Sequence, residues 1–141
     1  MQPCSLCAQD GGTVVLQDDL LRVVLVDEAG LPGFVRVIVN AHLKEMSDLD
    51  AAARSRLMQV VLAAEEALRE VFAPVKMNLA SLGNAVPHVH WHVIPRFADD
   101  AFYPQPIWGT RQRDTPPNVL AGRRALLPTL QQRLKERIGR L

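Results

Sequence analysis

The chain has almost no surplus of either charge. Sixteen Lys and Arg stand against fifteen Asp and Glu, for a formal net charge of +1 over 141 residues. That balance excludes a general nucleic-acid-binding protein, though it leaves room for one small phosphate pocket. Long apolar runs are also missing, and none approaches the roughly 20 residues needed to span a bilayer. The N-terminus, Met1-Gln2-Pro3-Cys4, lacks the basic start and apolar stretch of a secretory signal. A soluble, cytoplasmic protein with no membrane partner is expected. Internal repeats are absent. Cysteine is scarce: Cys4 and Cys7 are the two present, spaced as Cys-x-x-Cys. In a reducing cytosol this spacing suggests zinc or redox chemistry more than a structural disulfide. A thioredoxin-like motif closes a strand and opens a helix, whereas this pair sits at the extreme N-terminus. A zinc site needs two more ligands, and the pair alone leaves zinc half-site and coincidence both open.

What is present fits one domain over residues 1–141, since a chain of this length with 48% hydrophobic residues can bury a real core. Short strands are expected at Thr13–Gln17, Leu20–Val26 and Phe34–Val39, separated by the Asp18-Asp19 turn and a breaker-rich loop from Asp27 to Gly33. Close in sequence, they favour an antiparallel meander over crossovers. Ser47 offers a helix N-cap with Asp50 three residues on. Leu49, Leu57, Val60, Val61, Ala64, Leu68 and Val71 then recur at helical spacing, until Ala73-Pro74 stops the helix. A fourth strand is expected at Lys76–Leu82 and a fifth at Pro87–Ile94. Residues 98–117 are proline-rich and unsuited to regular elements. Leu127, Leu130, Leu134, Ile138 and Leu141 outline a C-terminal amphipathic helix, with Pro128 in its first turn or kinking it.

Three of the four histidines fall within five residues, His88-Val89-His90-Trp91-His92. The intervening residues are apolar and favour strands. Period-two alternation then puts the three imidazoles on one face and Val89, Trp91 and Val93 on the other. His88 and His92 are on the order of 13 Å apart on such a strand, too far to share one metal easily. Neighbouring members can chelate one ion, or one imidazole can act as a nucleophile, since the neutral ring attacks phosphorus or carbon near pH 7.

The stretch His88-Val89-His90-Trp91-His92-Val93-Ile94 resembles the His-x-His-x-His-x-x signature of the histidine triad family, with apolar residues at x. The flanks resemble it too: Pro32-Gly33 before a strand, the long helix, Leu82-Gly83-Asn84-Ala85-Val86-Pro87 ahead of the histidines, and Pro95-Arg96 after them. The likeness covers roughly residues 4–100. Residues 101–141, Pro104 to Gly109 above all, resemble a bacterial branch usually called triad hydrolases. The resemblance implies an α+β fold, with an antiparallel sheet of about five strands, one long helix and a C-terminal helix. It also implies a nucleotide hydrolase or nucleotidyl transferase. There His90 attacks the α-phosphorus of a nucleoside phosphate derivative, such as a dinucleoside polyphosphate or phosphoramidate, and forms a covalent nucleotidyl-histidine. His92 would donate to the phosphate oxygens or assist the leaving group, Asn84 would contact phosphate, and Asp27 would hold the ribose.

Two departures stand out. Phe34 occupies a position where many relatives carry a histidine that supports the triad, and Ala85 replaces a phosphate-contacting Ser or Thr. A weakened activity or altered substrate is expected from them. Some members hold a structural zinc, which here implies Cys4, Cys7, His42 and His88 as ligands and no catalytic cofactor. Members commonly dimerise through the long helix and a sheet edge, so a homodimer is expected. Two other functions stay open: a nucleotide-binding or sensing protein without turnover, and a metallohydrolase with His90 and His92 on a catalytic ion.

Overall fold

The computed structural model describes residues 3–141. Met1 and Gln2, the start of the segment read for a secretory signal, lie outside the described residues. A single helical turn, α1 (Ser5–Ala8), leads into three strands, β1 (Thr13–Gln17), β2 (Leu21–Leu25) and β3 (Val35–Val39). The long helix α2 (Ala51–Phe72) follows, then β4 (Lys76–Ala80), β5 (His90–Arg96), α3 (Pro117–Arg124) and α4 (Leu127–Gly139). The five strands form one sheet in the order β1-β2-β3-β5-β4, and every pairing is antiparallel. The expected α+β plan of a five-stranded antiparallel sheet with a long helix and a C-terminal helix is what the chain adopts.

Alternation divides the sheet into two faces. Leu21, Val23, Val35, Val37, Val39 and Val93 are wholly buried and share one core with Leu57, Val60, Val61 and Leu68 of α2 and with Leu130 and Leu134 of α4. Arg22, Val24, Arg36, Ile38, His90 and His92 occupy the alternate positions. Part of that second face lies under the N-terminal segment, where Leu6 packs on Val24 and Ile38 beside Cys4 and Val86.

Several strand ends differ from expectation by one or two residues, and two starts and one helix differ for reasons visible in the fold. The triad strand begins at His90, not Pro87, because the Val89 N–H donates to the Leu43 carbonyl while the Val39 carbonyl, its in-register acceptor, is taken by the His88 ring. His88 therefore stands just ahead of the strand. Helix α2 is capped by Asp50, whose side chain accepts from the Ala53 N–H at 2.8 Å. Ser47 and Asp48 lie instead in a 3₁₀ turn, Met46–Asp48, closed by reciprocal bonds between Glu45 and Asp48. Helix α3 has no counterpart in the sequence pattern because it buries none of its residues and so carries no apolar stripe.

Residues 97–116 hold no helix or strand, as their prolines suggest, yet they are firmly tied. The Arg96 guanidinium makes a two-pronged bond to the Asp100 carboxylate at 2.9 and 3.0 Å, and also donates to Asn78 Oδ1 and the Gln105 carbonyl. Asp100 in turn accepts the N–H groups of Phe97, Phe102 and Tyr103. Fully partnered, the buried pair escapes the desolvation penalty that an isolated charge would carry. Helix α4 carries Leu130, Leu134 and Ile138 into the core, whereas Leu141 lies past its end and is 54% exposed. Leu134→Ala should therefore lower stability by about 2–5 kcal/mol, and Leu141→Ala by less than about 0.5 kcal/mol. Urea unfolding of the two variants would show this; equal midpoints would mean that α4 is not part of the core.

Candidate active site and candidate metal centre

The antiparallel register sets Arg36 of β3 directly across from His92 of β5, and Ile38 across from His90. His90 and His92 thus emerge on the face opposite α2. Both are buried, with ring centroids 4.9 Å apart and planes at 84°. Together they line a depression of about 280 Å³ with Arg36, Asn84 and Trp108. Trp108 is presented by the Arg96–Asp100-anchored loop, its ring centroid 5.0 Å from that of His92 and about half its surface open. Phe34 also packs on His92, with ring centroids 5.5 Å apart, and is buried. Phe34 thus packs a hydrocarbon ring against the second of the paired histidines.

Hydrogen bonding assigns each imidazole a tautomer. His90 Nδ1 faces the His88 carbonyl and must donate to it, which leaves Nε2 with a free lone pair. His92 Nδ1 accepts from Arg36 Nε at 3.5 Å, which puts the His92 proton on Nε2. Burial lowers the pKa of His90 below the ordinary 6.5, against a raising effect of the bond to His88. His92 is pushed down to about 4, first by burial and then by the charges of His90 and Arg36. Both rings are neutral at pH 7. One offers a nucleophilic nitrogen and the other an N–H donor.

The remaining predicted site residues fall in three places. Asn84 and Ala85 line the rim of the depression. Asp27 lies exposed on the loop after β2 and makes no side-chain hydrogen bond among the described residues. Cys4, Cys7, His42 and His88 meet behind the triad, with one ligand atom from each lying within 4.8 Å of all the others. His88 was expected to share the face of His90 and His92, but its position ahead of the strand turns its ring to this cluster instead. Its Nε2 donates to the Val39 carbonyl, which leaves Nδ1 free for a metal. His88 Nδ1 stands 3.4 Å from Cys4 Sγ, 3.5 Å from Cys7 Sγ and 3.3 Å from His42 Nδ1; Cys7 Sγ to His42 Nδ1 is 3.3 Å. A zinc tetrahedron with bonds of about 2.3 Å to sulfur and 2.0–2.1 Å to nitrogen has edges of about 3.3–3.8 Å. The donor set fits zinc in number, chemistry and spacing.

Two residues of the site escaped the sequence reading. Arg36 sits in the otherwise apolar run Val35–Val39, and Arg22 in Leu21–Leu25. A lone charge inside each strand was the available signal, since it marks the side chain that does not enter the core.

A sheet of this order, backed by one long helix and bearing paired histidines on its other face, defines the histidine triad class of folds. A sequence model of the HIT domain matches residues 8–99, and the chain belongs to the HIT family. A solved histidine triad protein from Bradyrhizobium japonicum superposes with a TM-score of 0.74 at 25% identity, covering 97% of each chain. A Mycobacterium tuberculosis protein named AP-4-A phosphorylase is 29% identical over 128 residues, which is 86% of this chain and 64% of that protein. A Schizosaccharomyces pombe protein named asymmetrical bis(5′-nucleosyl)-tetraphosphatase is 32% identical over 71 residues, 47% of this chain and 39% of that one. The chain thus spans less than two thirds of these curated relatives. Among the described residues no helix is long and apolar enough to cross a membrane.

The buried neutral state of His92 couples folding to pH. Its folded pKa of about 4 lies below the 6.5 of an unfolded histidine. The unfolded chain therefore takes up the proton first, and stability present above pH 6.5 is lost as pH falls toward 4. The loss should be about 3 kcal/mol, and His92→Gln should remove that part of it. Denaturant unfolding of both proteins at pH 7 and 4.5 would test this; equal acid losses would show that His92 is not the source.

Proposed function

We propose that the protein is a nucleotide hydrolase or nucleotidyl transferase that works through a covalent intermediate on His90. The observation that carries this is the pair of opposite tautomers in one depression: a bare Nε2 on His90 beside an Nε2–H on His92. Attack by His90 Nε2 on the α-phosphorus of a nucleoside phosphate derivative forms an N–P bond and expels the leaving group with its electron pair. Water then breaks the N–P bond and releases the nucleotide. Dividing one displacement into two lowers each barrier. His92 Nε2–H donates to the phosphate oxygens as charge develops, and Asn84 on the rim adds a second donor. Asp27 is assigned to the ribose hydroxyls. The names of the M. tuberculosis and S. pombe relatives support a nucleotide substrate.

The fit of Cys4, Cys7, His42 and His88 supports a structural zinc. Four protein donors would leave it no open position, and when bound it would cross-link the N-terminal segment to the residue ahead of the triad strand. A homodimer is also part of the proposal, and a cytoplasmic setting suits a cysteine pair that serves as metal ligands and not as a disulfide. Helix α4 packs on α2 and reaches β1, and β4 is the opposite edge strand of the sheet, so β4 offers a template for a second copy.

Brief mixing with a dinucleoside tetraphosphate, followed by intact-protein mass measurement, should show a nucleotidyl increment in wild type and none in His90→Ala. Nucleotide binding with neither adduct nor turnover would make the protein a binding module. Turnover that chelators abolish, without adduct, would favour a catalytic metal on His90 and His92. Native mass spectrometry of protein purified without chelator should show a dimer with one zinc per subunit, lost in Cys7→Ser. A metal-free monomer with both thiols free would overturn both assignments.

A further inference from the structure

Arg22 and Arg36 stand on the histidine face of neighbouring strands, and their guanidinium groups have different surroundings. Arg22 is buried, and its nitrogens donate to the carbonyls of Leu6, Gln9 and Asp10 and to Asn40 Oδ1. Its donors are consumed in holding the N-terminal segment. Arg36 is half-buried and has no carboxylate within ion-pair distance among the described residues. Its two bonds are long, 3.5 Å to His92 Nδ1 and 3.3 Å to the Gly11 carbonyl, and its Nη2 makes none. The Phe34 ring centroid lies 5.4 Å from its guanidinium carbon, supporting one side of the cation without neutralising it.

Glu28 acts on Arg36 only at a distance, and a partly desolvated cation with no ion-paired carboxylate costs free energy that a ligand anion can offset. Arg36 lines the histidine depression of about 280 Å³ and also a neighbouring one of about 450 Å³ that includes Asp10. Among the described residues, no other Lys or Arg lines either of them. The acidic residue on the N-terminal side disfavours an anion there, so the histidine side is where one is held. The cation is thus placed beside His92, next to the phosphorus that His90 would attack.

We propose that Arg36 is a specificity-determining residue that binds a phosphate of the leaving group, and that the substrates are therefore phosphoanhydrides. This rests on nucleotidyl transfer through His90. In such a substrate the P–O bond to the bridging oxygen breaks as the His90 N–P bond forms. The electron pair leaves on a phosphate whose negative charge Arg36 neutralises, and no proton has to be delivered. A phosphoramidate instead expels an amine, which needs a proton to depart. A guanidinium does not give one up near neutral pH. Arg36 thus lowers the barrier for one leaving-group chemistry and not the other.

The test compares wild type, Arg36→Met and Arg36→Lys on two substrates with the same nucleotidyl group, a dinucleoside tetraphosphate and a nucleoside phosphoramidate. The ratio of their kcat/KM values should fall by about 10²-fold in Arg36→Met, with partial recovery in Arg36→Lys. In parallel, calorimetric titration with inorganic triphosphate should show binding weakened by at least about tenfold in Arg36→Met. Thermal melts would confirm that both variants are folded. An unchanged ratio overturns the assignment, even if both activities fall together. If wild type neither turns over nor forms an adduct, nucleotidyl transfer fails separately, and the triphosphate titration decides alone. Binding lost in Arg36→Met then upholds the phosphate site, and equal binding overturns it.

Discussion

The antiparallel pairing of β3 with β5 is the constraint on which the site depends. It sets Ile38 opposite His90 and Arg36 opposite His92 at the centre of the sheet. Because side chains alternate, a slip of one residue in β5 would carry both imidazoles into the apolar layer beneath α2 and bring Trp91 and Val93 out. Burying two imidazoles among Val35, Val37 and Leu68 without partners would cost several kcal/mol. The hydrophobic core therefore selects the register, and the register aims the chemistry. The same pairing brings a guanidinium and an imidazole within reach across strands.

His88 links the other parts of the site. Its carbonyl sets the tautomer of His90, its Nε2 is spent on the Val39 carbonyl, and its Nδ1 faces the two cysteines and His42. The candidate metal centre and the candidate nucleophile thus share one residue through two different atoms. The N-terminal segment is held on the same face by the main-chain bonds of Arg22 and by Leu6 packed on Val24 and Ile38. These contacts bring Cys4 and Cys7 near a histidine more than eighty positions away along the chain.

On the far side of the cleft a polar anchor plays the equivalent part. The Arg96–Asp100 pair organises a loop with no regular structure and presents Trp108 to His92. His92 is then flanked by two aromatic rings, Phe34 and Trp108, and burial keeps both imidazoles neutral.

Much of this was legible in the residues themselves. Alternation in His88–Val93 marked a strand with a polar face, and the spacing of Leu57, Val61, Ala64 and Leu68 marked a helix with a buried side. The triad signature pointed to His90 and His92, and the Cys4–Cys7 spacing together with the family resemblance pointed to the metal cluster. These features are local, and a period of two or of 3.6 expresses itself within one element. Exact boundaries were not legible. His88 leaves the strand because the Leu43 carbonyl, distant in sequence, claims the Val89 N–H. Nor were the roles of Arg22 and Arg36. Both are single charges in apolar strands, and only the folded sheet decides that one meets a ring of carbonyls and the other an open cleft. Sequence determined which residue types alternate and so which elements form; tertiary structure decided which atoms meet across them, because hydrogen-bond partners and desolvation are properties of the packed chain.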